Sequence, residues 1–224
     1  MGTPLKVITL DGPSGTGKGT LCHLLAAHLG WNFLDSGAIY RVFALAVEAH
    51  QIEEHDIDRL TMLAKNLPLS FENEDIFLEG LSVKEKIRTQ SCGQKASRLA
   101  AIPEVRVALL MRQRDFAKPP GLVTDGRDMG TVVFPEAALK IYLYATPEAR
   151  AERRYLQLKN AGKSDTLAQV VEELAERDAR DMARSHAPLA PAHDAIAIDT
   201  TELSVEDVFH QVLQLAIHRG LGER

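Results

Sequence analysis

Residues 12–18 read Gly-Pro-Ser-Gly-Thr-Gly-Lys, and no other run constrains the chain as tightly. The segment before it, Leu5 to Asp11, carries Val7, Ile8 and Leu10 and reads as a short buried strand. After Lys18 the pattern turns helical, with Leu21, Leu24, Leu25 and Leu29 on one face. The order is strand, glycine-rich loop, helix. Glycines let successive backbone N–H groups curl around an anion without Cβ clashes. The following helix turns its positive end toward the same anion. Lys18 completes the G-x-x-x-x-G-K spacing of a phosphate-binding P-loop. Residue 19 is Gly and Thr20 follows, so the hydroxyl that usually ligates Mg²⁺ is displaced by one position. The expectation is Mg²⁺ held with ATP mainly by phosphates and water, with no firm protein ligand. A glycine-rich turn with a chance lysine is the competing reading, and the strand and helix flanks speak against it.

Strands then alternate with helices. Further strands are predicted at Trp31–Asp35, Leu122–Thr124 ending at Asp125, Leu139–Ala145 and Ala195–Asp199. Helices are predicted from Ala38 to Ala49, from Pro103 until Pro119-Pro120-Gly121, and from Pro147, capped by Thr146, through an Arg-rich stretch to about Arg184. A last helix spans Ser204 to Arg219, where Ser204 and Asp207 suit a capping box and Leu203 can staple onto Val208. Residues 67–88 break the rhythm. Leu69-Ser70-Phe71 and Ile76-Phe77-Leu78 flank the polar turn Glu72-Asn73-Glu74-Asp75, which reads as a hairpin in a small β-rich insert. The predicted fold is α/β: a five-stranded parallel sheet with helices on both faces. One domain of 224 residues is expected, with the insert at about 63–92 and a small helical lid at about 150–184.

The formal net charge of -5 argues against nucleic acid or an anionic membrane as partner, but not against a small anion in its own pocket. Cys22 and Cys92 have neither metal nor redox spacing. Nothing in the N-terminal run resembles a signal peptide and no window suits a bilayer, so a cytoplasmic protein is expected.

Four segments carry a family resemblance: Gly17-Lys18-Gly19-Thr20; Leu34-Asp35-Ser36-Gly37-Ala38-Ile39-Tyr40-Arg41; Asp125-Gly126-Arg127-Asp128-Met129-Gly130-Thr131-Val132-Val133-Phe134-Pro135; and Arg177 to Arg184 followed by Ala187-Pro188-Leu189. Together they resemble the bacterial cytidylate kinases, P-loop nucleoside monophosphate kinases, over essentially the whole chain. The resemblance implies ATP and CMP or dCMP as small-molecule substrates and a monomer. It implies that ATP is bound by Gly12, Pro13, Ser14, Gly15, Thr16, Gly17, Lys18, Gly19 and Thr20. It assigns the phosphate end of CMP to Ser36, Arg41, Arg127 and Arg184, the cytosine to Ser97, Arg106 and Asp128, and the sugar to Arg177 and Asp181. The insert falls where that family carries an extra β-rich lobe.

The residues suit this chemistry. A nucleoside monophosphate is already a nucleophile, because its second pKa is about 6. Two polyanions must still be aligned and their charge neutralised, which favours the planar fork of arginine. Lys18, Arg127, Arg154 and Arg180 are the expected catalytic cations, and Arg150 and Arg154, four apart on one helical face, are expected at ATP. Arg177, Arg180 and Arg184 are expected on nearly one face of the next helix, the two helices forming a lid that excludes water. Alternatively these arginines pair with Glu152, Glu173, Asp178 and Asp181. Asp128 either accepts from the exocyclic amine of cytosine or merely orients Arg127. Asp125 either holds a water on Mg²⁺ or supports the loop. Two rival functions remain: another small P-loop kinase, and a nucleotide sensor without catalysis.

Overall fold

The computed structural model describes residues 6–72 and 75–222. In chain order the elements are β1 (Val7–Asp11), α1 (Lys18–Leu29), β2 (Asn32–Asp35), α2 (Ser36–Ala49), α3 (Ile57–Lys65), β3 (Leu69–Glu72), β4 (Asp75–Leu78) and β5 (Leu81–Ser82). They continue with α4 (Gln90–Leu99), α5 (Pro103–Arg114), β6 (Leu122–Gly126), β7 (Leu139–Tyr144), α6 (Pro147–Asn160), α7 (Leu167–Met182), β8 (Ile196–Asp199) and α8 (Val205–His218). The chain divides into two compact units, one holding the segments up to Leu34 and from Phe116, the other running from Asp35 to Asp115.

The first unit contains the predicted parallel sheet, in the order β2-β6-β1-β7-β8. β1 lies between β6, with Val7 opposite Leu122, and β7, with Ile8 opposite Leu139, and both pairings are parallel. β7 pairs in parallel with β8, Ile141 opposite Ile196. Every residue of β1 and β6 is buried, as expected for strands covered on both faces. Successive side chains alternate between the faces. Ile8, Leu10, Ile141 and Leu143 pack with Leu21, Cys22 and Leu25 of α1 and Val208, Val212 and Ala216 of α8. Asp11 and Thr9 point the other way, toward a single π-helical turn at Met129–Val133. The carboxyl ends of β1 and β6 therefore release two loops side by side, 12–17 and 127–128. In open α/β sheets this end is where ligands bind.

Sequence signals account for the helix ends. Thr146 accepts the Ala149 N–H ahead of Pro147, and Ser204 with Asp207 forms the predicted capping box. A second capping box, Thr166 with Gln169, starts α7. α6 and α7 share a small core of Ala151, Leu158, Val170 and Leu174, against which Tyr155 packs. One expectation is corrected here. α7 stops at Met182, so Arg184 lies beyond the helix and does not extend the face of Arg177 and Arg180. The chain turns back instead, and the Leu189 N–H bonds the Asp181 carbonyl at 2.9 Å.

In the second unit α2 begins two residues earlier than the expected Ala38, because the Asp35 carboxylate accepts the Ala38 N–H and caps it. The predicted insert is a three-stranded antiparallel sheet, β3-β4-β5, with Leu69 opposite Leu78 and Phe77 opposite Ser82. The turn residues Asn73 and Glu74 lie outside the described residues. Two helices went unpredicted: α3, capped by Asp56, and α4, capped by Thr89. Among the described residues, no helix is long and apolar enough to cross a membrane.

Candidate active site

The loop after β1 is held tightly from behind. A Cβ added at Gly12, where φ is +142°, would sit 2.0 Å from the Leu143 carbonyl oxygen, and one at Gly15 would sit 2.8 Å from that of Arg150. Only glycine permits this approach. Gly17, with φ at +87°, precedes α1 without any side-chain cap. The first N–H groups of α1 therefore keep no capping side chain, which is the arrangement that attracts an anion. A Cβ at Gly17 or Gly19 would meet nothing within 4 Å, so the front of the loop is open.

Lys18 is folded into this loop. Its ammonium donates to the Pro13 carbonyl at 2.6 Å and to Thr16 Oγ1 at 3.2 Å, and Thr16 Oγ1 donates to the same carbonyl at 3.1 Å. Burial pushes Lys18 down to about 7, the Arg127 charge adds to this, and Asp125 and Asp11 pull against it. An arriving polyphosphate would restore the full charge.

Arg127 lies beside the loop in a frame of bonds. Its Nη2 donates to Ser14 Oγ at 2.7 Å, its Nη1 to the Gly126 carbonyl at 3.0 Å, and its Nε to Asp181 Oδ2 at 2.9 Å. Asp181 is 1% exposed, and its other oxygen accepts from Arg184 Nη2. Burial alone would raise the Asp181 carboxyl, but Arg127, Arg184 and Arg177 hold it below its ordinary value. Burial likewise opposes charge on Arg127, yet the Asp181 carboxylate keeps its pKa above the usual value. Both Nη atoms of Arg127 carry a second N–H that can meet a phosphate oxygen.

Arg150 is buried and braced. It donates to Asp178 Oδ2 at 2.5 Å, to the Ser14 carbonyl at 3.1 Å and to the Ala145 carbonyl at 3.2 Å. Of the lid arginines, Arg150 and Arg184 are paired with acids, Asp178 and Asp181. Arg154 is half-buried and its charge acts on Glu173, which burial and Asp165 shift upward. Arg177 and Arg180 sit half-buried on α7. Asp125 is the penultimate residue of β6 and is buried, and its charge favours that of Lys18. Asp128 is also buried, at the mouth of the π-helical turn.

The remaining predicted residues lie in the second unit. Ser36 Oγ donates to Gln113 Oε1 at 2.8 Å. Arg41 Nη1 donates to the Ile87 carbonyl at 2.7 Å, and its guanidinium lies so close to Gly93 that a Cβ there would be 3.0 Å from Nη1. Arg106 donates to the Ala100 carbonyl at 3.1 Å with its guanidinium carbon 5.5 Å from the centre of the Tyr40 ring, and Ser97 is buried on α4.

Sequence reasoning missed three residues that shape these groups. Gln113, 1% exposed, receives Ser36, and nothing in a helical glutamine signals that. Thr200 Oγ1 donates to the Tyr144 carbonyl at 3.1 Å and takes Arg153 Nη1 at 3.2 Å, tying α6 to the end of β8. Asp11 accepts two backbone N–H groups from the segment after Asp128. An acid ending an apolar strand just before the glycines was the available signal. Among the described residues, no three His, Cys, Asp or Glu side chains are placed to hold a metal ion. Gly19 offers no side-chain ligand, and the carboxylate of Asp125 has the chemistry to hold a water on Mg²⁺.

The sequence matches the family model described as Cytidylate kinase over residues 8–218. A protein of that description from Nitrosococcus oceani is 55% identical over 219 residues, covering 95% of this chain and 96% of that one. One from Stutzerimonas stutzeri is 52% identical over 98% of both chains, and one from Shewanella frigidimarina is 53% identical over 93% of both. The chain belongs to the cytidylate kinase family.

Proposed function

We propose that this phosphotransferase moves the γ-phosphoryl group of ATP onto the phosphate of CMP or dCMP, giving ADP and CDP or dCDP. One observation carries the reading. A second framed cation, Arg127, stands beside the phosphate loop, bonded to Ser14 of that loop and charged through Asp181. A protein that only bound ATP has no need of it, whereas transfer between two anions does.

In this mechanism the loop amides and Lys18 grip the β and γ phosphates, Lys18 leaving the Pro13 carbonyl as it does so. The second N–H groups of Arg127 face the γ-phosphoryl and the acceptor phosphate, where charge spreads in the transition state. A CMP phosphate oxygen attacks in line, already ionised, so no general base is required. Mg²⁺ bound to the ATP phosphates would offset charge on the transferred group, and Asp125, near the end of β6, would hold one of its waters. Arg154 and Arg180 supply further positive charge from α6 and α7, which close over the triphosphate as a lid. Asp128, an acceptor-only carboxylate, prefers the amino group of cytosine to the keto oxygen of uracil. Ser36, Arg41, Ser97 and Arg106 supply further contacts to CMP, and Arg177 and Arg184 complete the set in the first unit.

A coupled ADP-release assay with ATP and a panel of CMP, dCMP, UMP, AMP and shikimate tests this. CMP and dCMP should turn over with the highest kcat/KM. Turnover confined to another acceptor, or tight ATP binding with no transfer, would refute it.

A further inference from the structure

We infer that Asp11 is the positioning residue that sets Arg127 and Asp128 against the phosphate loop. The inference rests on the reading of those two residues as the acceptor side of a CMP kinase. Asp11 is the last residue of β1 and directly precedes Gly12. Its two oxygens are divided between neighbouring amides: Oδ1 accepts the Met129 N–H at 2.8 Å and Oδ2 the Gly130 N–H at 2.7 Å. The backbone immediately after Asp128 is thereby pinned to the residue immediately before the loop.

The surroundings leave that segment little freedom at the clamp. A Cβ at Gly130 would lie 2.9 Å from Thr9 Oγ1 and 3.2 Å from the Lys140 stem, so the backbone reaches Asp11 only because residue 130 is glycine. Met129 is fully buried, and Thr124 Oγ1 donates to its sulfur at 3.4 Å. Ser14 Oγ holds Arg127 from the other side. The phosphate loop, by contrast, has its own supports in the Leu143 and Arg150 contacts and in the bonds to the Pro13 carbonyl. Losing Asp11 therefore falls on the acceptor segment. Burial raises the Asp11 carboxyl to about 6 while its two N–H donors oppose the rise, so this carboxylate is kept in a costly place.

Asp11→Asn keeps the shape but has one acceptor oxygen, and its NH₂ would oppose the second N–H. Losing one hydrogen bond to a charged group corresponds to about ten- to hundredfold. In the full chain, amide exchange at Met129 and Gly130 should quicken by that order while exchange at residues 16–18 stays unchanged. The KM for CMP should rise about tenfold or more and the preference for CMP over UMP should fall, with a smaller rise in the KM for ATP because Lys18 loses one supporting charge. Unchanged exchange at Met129 and Gly130, or equal rises in both KM values, would overturn the inference. Failure of the wild-type chain to use CMP would sink the functional reading, and the exchange measurement would still judge the clamp. If Asp11→Asn does not fold, Gly130→Ala loosens the same clamp with the carboxylate intact and is judged by the same results.

Discussion

Replacing Asp181 by Ala tests the arginine frame most severely. The carboxylate is 1% exposed and receives both Arg127 Nε and Arg184 Nη2, whose side chains are 15% and 4% exposed. Removing one partner of a buried ion pair strands the opposite charge and costs about 3–5 kcal/mol. Two guanidinium groups lose this carboxylate at once, which places the expected loss at the upper end, about 5 kcal/mol. For a chain of this length each kcal/mol moves Tm by about 2–4 °C, so a fall of roughly 10–20 °C is expected. The pH dependence has a definite direction. The folded Asp181 carboxyl titrates below its unfolded value because of Arg127, Arg184 and Arg177, despite burial. Its stabilising contribution is therefore complete above about pH 5, since the unfolded carboxyl titrates near 3.9, and fades as pH falls through the lower folded value. Thermal melts of wild type and Asp181→Ala from pH 8 to pH 3 measure both effects. A loss below about 1 kcal/mol at pH 7, or a difference that shrinks between pH 8 and pH 5, would refute the argument.

Other predictions follow from the same geometry. Because Lys18 sits near 7 in the free protein and polyphosphate raises it, ATP binding should take up close to one proton at pH 8 and little at pH 6. Calorimetry in two buffers of different ionisation enthalpy measures this, and Lys18→Met should abolish the uptake and most turnover while leaving the fold intact. Asp128→Ala should reduce the ratio of kcat/KM for CMP over UMP by about tenfold, the worth of one charged hydrogen bond, and an unchanged ratio would move base recognition elsewhere. Gly93→Ala should raise the KM for CMP several-fold, because the new Cβ would lie 3.0 Å from Arg41 Nη1 and displace that guanidinium; an unaltered KM would remove Arg41 from the acceptor contacts.

Much of the first unit was legible in the residues. Val7 to Asp11 and Leu122 to Gly126 are wholly buried strands, and their apolar runs announced them. Thr146-Pro147 and Ser204 with Asp207 marked helix starts through local capping chemistry, which needs no tertiary context. α4 hid because its apolar positions Cys92, Ala96 and Leu99 are few and small, although Thr89 offered a cap. Arg184 was misplaced for a different reason. Local pattern favours continuing α7, but the bond from the Leu189 N–H to the Asp181 carbonyl turns the chain. At the candidate site, the glycines and Lys18 stood out because their spacing carries the chemistry. Gln113 and Asp11 did not, because their significance lies in partners 77 and more than 100 residues away.

The most direct test follows the phosphoryl group itself. The chain is incubated with Mg²⁺, γ-³²P-labelled ATP and CMP, and the products are separated. Label in the β-phosphate of CDP, formed in step with ADP and lost in Arg127→Ala, is the predicted result. Label released only as inorganic phosphate, or CDP formation that survives Arg127→Ala undiminished, would contradict the central claim.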